Sequence, residues 1–169
     1  ICTVVGHIDH GKTSLLDKIR GTAVAKGEAG GITQCISSTK VSLDTLKKIC
    51  GKLLETLKLK ITVPGILFID TPGHAAFNNM RKRGGNLADI AILVINVVEG
   101  IKEQTLECIE ILKQYKTPFV IALNKIDLIN GWKVNKEASF SQSLKEQRES
   151  VRLELDNKLY TLVGKLAEF

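Results

Sequence analysis

A chain of 169 residues with 44% hydrophobic and 25% charged side chains can bury one α/β core and is too short for two. No apolar run reaches bilayer-spanning length, so no membrane partner is expected, and aromatic residues at only 5% leave the core to aliphatic side chains. The formal net charge of +6 suits a polyanionic partner and equally suits Lys-rich solvated helix faces; charge alone does not name the partner. The cysteines Cys2, Cys35, Cys50 and Cys108 show no C-x-x-C spacing, which predicts reduced thiols in a cytoplasmic protein.

The first element is the apolar run 1–5, a buried strand, followed by Gly6-His7-Ile8-Asp9-His10-Gly11-Lys12-Thr13. These residues fit G-x-x-x-x-G-K-[S/T], a loop that wraps nucleotide phosphates and opens a helix, here over residues 14–20. The helix would aim its first N–H groups at the anion, with the Lys12 ammonium on the β- and γ-phosphates and the Thr13 hydroxyl on Mg²⁺. Next comes Gly30-Gly31-Ile32-Thr33 in a Gly-rich segment. Thr33 can reach Mg²⁺ and the γ-phosphate when a triphosphate is bound, giving a segment ordered by its ligand; taken alone, the stretch also reads as an ordinary loop.

A weaker, more polar strand is expected near residues 34–41, at the sheet edge. Leu43, Leu46, Ile49, Cys50, Leu53, Leu54 and Leu57 then recur at helical steps, despite Gly51, and predict a core-facing helix. The strand at 66–69 leads directly into Asp70-Thr71-Pro72-Gly73-His74. A carboxylate at the carboxyl end of a buried strand beside a phosphate loop suits Mg²⁺, which assigns Asp70, and Gly73 can offer its N–H to the γ-phosphate.

Strands at 90–95 and 119–123 flank a helix over 105–115, and all the strand candidates are short, near-continuous apolar runs that predict helices on both sheet faces. Asn124-Lys125-Ile126-Asp127 follows the last strand. The Asp127 carboxylate can accept from the N1–H and 2-amino group of guanine, a donor pair that adenine lacks. The Lys125 stem can pack along the base, and Asn124 can tie this turn to the phosphate loop. Residues 132–142 are polar and predict a surface loop. A final helix lines up Val151, Leu155, Leu159, Leu162, Leu166 and Phe169 as a core face.

Together these motifs resemble those of translational GTPases, whose phosphate loop reads G-H-[V/I]-D-H-G-K-T and whose second switch reads D-T-P-G-H. Residues 18–34, the segment 74–89 and Gly131-Trp132 after the Asn124–Asp127 motif narrow the resemblance to initiation factor 5B, the archaeal and eukaryotic counterpart of bacterial initiation factor 2. The resemblance covers nearly the whole chain. It implies a P-loop NTPase: an α/β, doubly wound, mostly parallel sheet with one antiparallel edge strand, as in Ras-like G domains. It also implies that residues 1–169 are a GTP-binding domain cut short at its carboxyl end, lacking the last strand and the loop that backs the guanine base.

By the same resemblance, the N–H groups of Asp9, His10, Gly11, Lys12, Thr13 and Ser14 bind the phosphates of GTP or GDP. Thr13 and Thr33 ligate Mg²⁺, and Asp70 holds it through water. His74 orients the attacking water, with Ile8 and Ile32 screening it, and Asp9 helps bind a monovalent cation in place of an arginine finger. The implied partners are the ribosome, through large-subunit RNA and its GTPase centre, and initiator tRNA, through domains outside this chain. Arg81-Lys82-Arg83 would face ribosomal RNA or form a solvated helix face. Asn96 departs from the family, which usually places an aspartate there; as that group is not a nucleotide ligand, little effect is expected. The implied function is a GTP-hydrolysing switch in initiation, slow alone and stimulated by the ribosome. An elongation-type factor and a nucleotide-dependent assembly module with little hydrolysis remain as alternatives, as does a P-loop kinase or ATPase, which has no use for Asn124 to Asp127.

Overall fold

Five strands form one sheet in the order β2-β3-β1-β4-β5, in a computed structural model that describes residues 1–21, 37–58, 62–70, 88–135 and 138–169. The strands are β1 (Cys2–Gly6), β2 (Ser37–Ser42), β3 (Gly65–Asp70), β4 (Ile90–Asn96) and β5 (Phe119–Asn124). β1 runs parallel to β3 and β4, and β4 parallel to β5, while β2 at the edge pairs antiparallel with β3. The described helices are α1 (Lys12–Arg20), α2 (Leu43–Thr56), α3 (Glu103–Gln114), α4 (Phe140–Lys145) and α5 (Glu149–Ala167). The architecture is the expected α/β sheet, mostly parallel with one antiparallel edge strand.

Alternation along the central strands sends neighbouring side chains to opposite faces. Val4 and Val94 pack with Leu16 of α1, Val41 and Phe68 on one face, whereas Val5, Leu93 and Ile95 pack with Cys108, Ile109 and Leu112 of α3 and Leu162 of α5 on the other. Every residue of β1 is buried, because it lies in the middle of the sheet with helices on both sides. The phosphate loop is therefore anchored on the most buried strand of the fold.

Three expectations need correction. The stretch 132–142 is not loop throughout: it turns helical after Ser139. There a capping box starts α4: the Ser139 hydroxyl accepts from the Gln142 N–H and the Gln142 side chain accepts from the Ser139 N–H. The pattern S-x-x-Q carries this signal in the sequence. The stripes on α2 and α5 are narrower than expected: Ile49 is 55% exposed, Leu159 lies open, and Leu57 and Phe169 fall just beyond the helix ends and are exposed. In α2 the backbone leaves helical geometry at Cys50 (φ −126°), just before Gly51, which breaks the register of the apolar face. Finally, Val120 and Ile121 are exposed although they lie in an apolar run, because β5 is bonded to β4 alone at the sheet edge.

Candidate nucleotide-binding site

At the carboxyl end of β1 the chain turns sharply. Gly6 pairs with Val94 of β4 and has φ +142°; a Cβ on it would come within 2.3 Å of the Val94 carbonyl oxygen. Only glycine fits that approach. Asp9 (φ +60°) and Gly11 (φ +89°) both adopt left-handed geometry, and α1 opens at Lys12 immediately afterwards. No acidic residue occupies the first turn of α1, while Lys18 and Arg20 lie in its last. The positive end of the helix is thus left uncompensated at the loop, which favours an anion there.

Lys12 is 8% exposed, and its ammonium donates to the His7 carbonyl across the loop at 2.8 Å. Burial lowers its pKa below the ordinary lysine value, and nearby negative charge, including Asp70 and Asp9, acts in the opposite sense. Thr13 is buried on the first turn of α1. Asp70 is buried at the end of β3, in register with Val4 on β1. Asp9 and Ser14 are exposed. Thr33, Gly73 and His74, with Ile32 and Arg81 to Arg83, lie outside the described residues.

The turn after β5 reaches the same end of the sheet. The Asn124 side-chain amide donates to the His10 carbonyl at 2.8 Å and lies 3.5 Å from the Gly11 carbonyl. It fills the space that Gly11 leaves, since a Cβ there would lie 2.2 Å from the Asn124 nitrogen. Lys125 is left-handed (φ +59°) and starts a 3₁₀ turn, Ile126–Leu128, that presents Asp127 to solvent. The bend rests on a small core of Val97, Ile129, Val151 and Leu155, with Trp132 packed against it.

His10 is fully buried and its ring points into the fold. Nδ1 accepts from the Asn96 N–H at 3.2 Å and lies 3.4 Å from the Val94 carbonyl. Burial pushes its pKa down to about 4, so the ring is neutral at pH 7. Any part it takes in anion binding therefore falls to its backbone. Sequence reasoning missed the groups behind the loop. Asn96, given little weight, is 1% exposed and bonded through its side chain to Glu99 and the Val98 N–H. Gln104 accepts from the Ile8 N–H. A polar residue closing an apolar strand was the available signal for Asn96; nothing local distinguishes Gln104 from any other residue at a helix start.

The family described as "Elongation factor Tu GTP binding domain" matches residues 1–165. The chain belongs to this family. A Methanopyrus kandleri protein named "Probable translation initiation factor IF-2" is 57% identical over 166 residues, which cover 98% of this chain and 28% of that protein. A protein of the same name from Aeropyrum pernix is 52% identical over 168 residues, covering 99% of this chain and 27% of the relative. The crystal structure of GDP-bound aIF5B from Aeropyrum pernix matches with a TM-score of 0.80 and 52% identity, over 99% of this chain and 28% of that one. The bacterial selenocysteine-specific elongation factor EF-Sec, at 22% identity and a TM-score of 0.59, is similar in fold. The chain thus spans about a quarter of the length of the curated relatives it matches. As a member of the Elongation factor Tu GTP-binding family, it carries a P-loop at residues 6–13 and the Asn124–Asp127 turn beside it.

Proposed function

We propose that this chain binds guanine nucleotides and is the GTP-hydrolysing switch of a translation initiation factor that promotes ribosomal subunit joining. The observation that carries the reading is the Asn124 bond to His10, which ties the turn that would select the base to the loop that would hold the phosphates. Backbone N–H groups of Asp9 to Ser14, with Lys12, would bind the phosphates. Asp127 would select guanine by accepting from its two donors, leaving a carboxylate unpaired against adenine.

Mg²⁺ fits the residues present. Asp70 is a buried carboxylate at the loop end of β3, and Thr13 brings a buried hydroxyl to the first turn of α1. An ion there would be held largely by hydroxyls, phosphate and water. Thr13 and Thr33 would ligate it and Asp70 would hold it through water; the ion would offset phosphate charge. Gly73 would donate to the γ-phosphate, His74 would orient the attacking water, and Asp9 would help to hold a monovalent cation.

The initiation reading is favoured over an elongation-type factor by the names of the relatives, which are initiation factors at more than half identity. Its partners would be large-subunit ribosomal RNA and the GTPase centre, with initiator tRNA contacted by parts of a longer protein. Such a factor would work in the cytoplasm. No helix among the described residues is long and apolar enough to cross a membrane. We take residues 1–169 to belong to one GTP-binding domain.

The test is competition of GTP, ATP and XTP for the site with Mg²⁺, on the native chain and on Asp127→Asn, with circular dichroism to check folding. GTP preference that disappears in the variant supports the reading. Equal competition by ATP on a folded native chain would overturn guanine selectivity. Hydrolysis should then be slow alone and rise on adding ribosomes.

A further inference from the structure

The turn from β4 into α3 lies behind the phosphate loop and meets it at two points. Gln104, the second residue of α3, accepts the Ile8 N–H through Oε1 at 3.1 Å. Asn96, the last residue of β4, donates its N–H to Nδ1 of His10 at 3.2 Å. These contacts bracket Asp9, a non-glycine residue at φ +60°. Left-handed geometry at such a residue is unfavourable and persists only where the surroundings hold it.

The second contact is itself braced. Asn96 Oδ1 takes the Val98 N–H at 2.9 Å, so its amide nitrogen faces Glu99 and donates to Oε1 at 2.6 Å. An aspartate at 96 would set two carboxylates against each other, so the asparagine is what lets Glu99 lie there. Because His10 Nδ1 accepts from Asn96, the ring proton belongs on Nε2. Among the described residues that buried nitrogen has no hydrogen-bond partner, and it lies 3.9 Å from the other Glu99 oxygen. Lys102 lies 3.6 Å from the same oxygen.

We propose that Gln104 and Glu99 are positioning residues for nucleotide binding, holding Ile8 and His10 on either side of Asp9 so that the phosphate loop keeps its anion-binding shape. Neither side chain needs to touch the ligand. The inference rests on the nucleotide-binding reading above.

The experiment follows release of a fluorescent GDP analogue from the 169-residue chain by stopped flow, with amide hydrogen exchange on the same proteins. Gln104→Met keeps the volume and removes the acceptor. It should speed release roughly three- to tenfold, as loss of one partly exposed hydrogen bond implies, and expose the Ile8 amide to exchange while β1 and β4 stay protected. Glu99→Ala should also speed release, whereas Glu99→Gln, which can still accept from Asn96, should stay within about twofold of native. Native-like release from Gln104→Met overturns the proposal, as does loss of protection throughout β1 and β4, which would make Gln104 a general packing residue. Equal impairment by Glu99→Gln and Glu99→Ala removes Glu99 from it. Failure of the native chain to bind the analogue would instead defeat the nucleotide-binding reading itself.

Discussion

The side-chain nitrogen of Asn124 donates to the backbone carbonyl of His10 at 2.8 Å, across 114 residues of sequence. One bond thus couples the Asn124–Asp127 turn to the loop that would hold the phosphates. Asn124→Ala should weaken GDP binding by roughly 10- to 100-fold, because it frees the turn and leaves a half-buried carbonyl without its donor. Fluorescence titration with a labelled GDP measures this, and an unchanged affinity would mean that the turn is positioned by its apolar support alone.

The same bond explains Gly11. Gly11→Ala would drive a methyl group into the Asn124 amide and demand φ +89° of an alanine. Binding should fall steeply, and Asn124→Ala added on top should cost less than it does alone, since the clash and the bond involve one nitrogen. A double-mutant cycle on GDP affinity reads the coupling; strict additivity would contradict a shared contact.

His10 predicts a pH dependence. Its folded-state pKa is about 4 against an ordinary 6.5, through burial, so the unfolded chain binds more protons between those values. Stability is therefore fully present above about pH 6.5 and is lost as pH falls toward 4, by up to ~3 kcal/mol. Unfolding midpoints across this range, paired with an NMR titration of the ring, test the sign. A ring that titrates near 6.5 in the folded protein would remove His10 as the cause.

Lys12→Met keeps the buried stem and removes the ammonium that now bridges to His7. GDP binding should drop by about 100-fold or more, the scale of a charge-assisted contact to phosphate. Thermal stability without nucleotide should hold or rise slightly, because a costly buried charge is gone. Isothermal titration and thermal melts separate the two effects, and retained affinity would exclude Lys12 from phosphate binding.

Ser139→Ala tests a helix that composition concealed. It removes the hydroxyl that accepts from Gln142 and should cost about 1 kcal/mol. Because Trp132 stacks on Phe140, the first residue of α4, at 6.5 Å, tryptophan fluorescence reports on the site. A melt identical to native would show that α4 is held by packing alone.

Short-range signals carried the ordered sequence of strands, the phosphate loop and the Asn124–Asp127 turn. Continuous apolar runs mark strands buried on two faces, and Gly6, Gly11 and Lys12 are needed wherever backbone must wrap an anion, so each is legible within a few residues. The capping box at Ser139 belonged to this class and was overlooked in a stretch that looked merely polar. Other features depend on partners far along the chain. The exposure of Val120 and Ile121 follows from the place of β5 at the sheet edge, and the depressed pKa of His10 from burial against β4. The weight of Asn96 and Gln104 comes from the His10 ring and the Ile8 N–H, in a loop more than eighty residues earlier. Sequence spacing cannot disclose such bonds, because a hydrogen bond between distant segments exists only once the fold has brought donor and acceptor within 3 Å or so of each other.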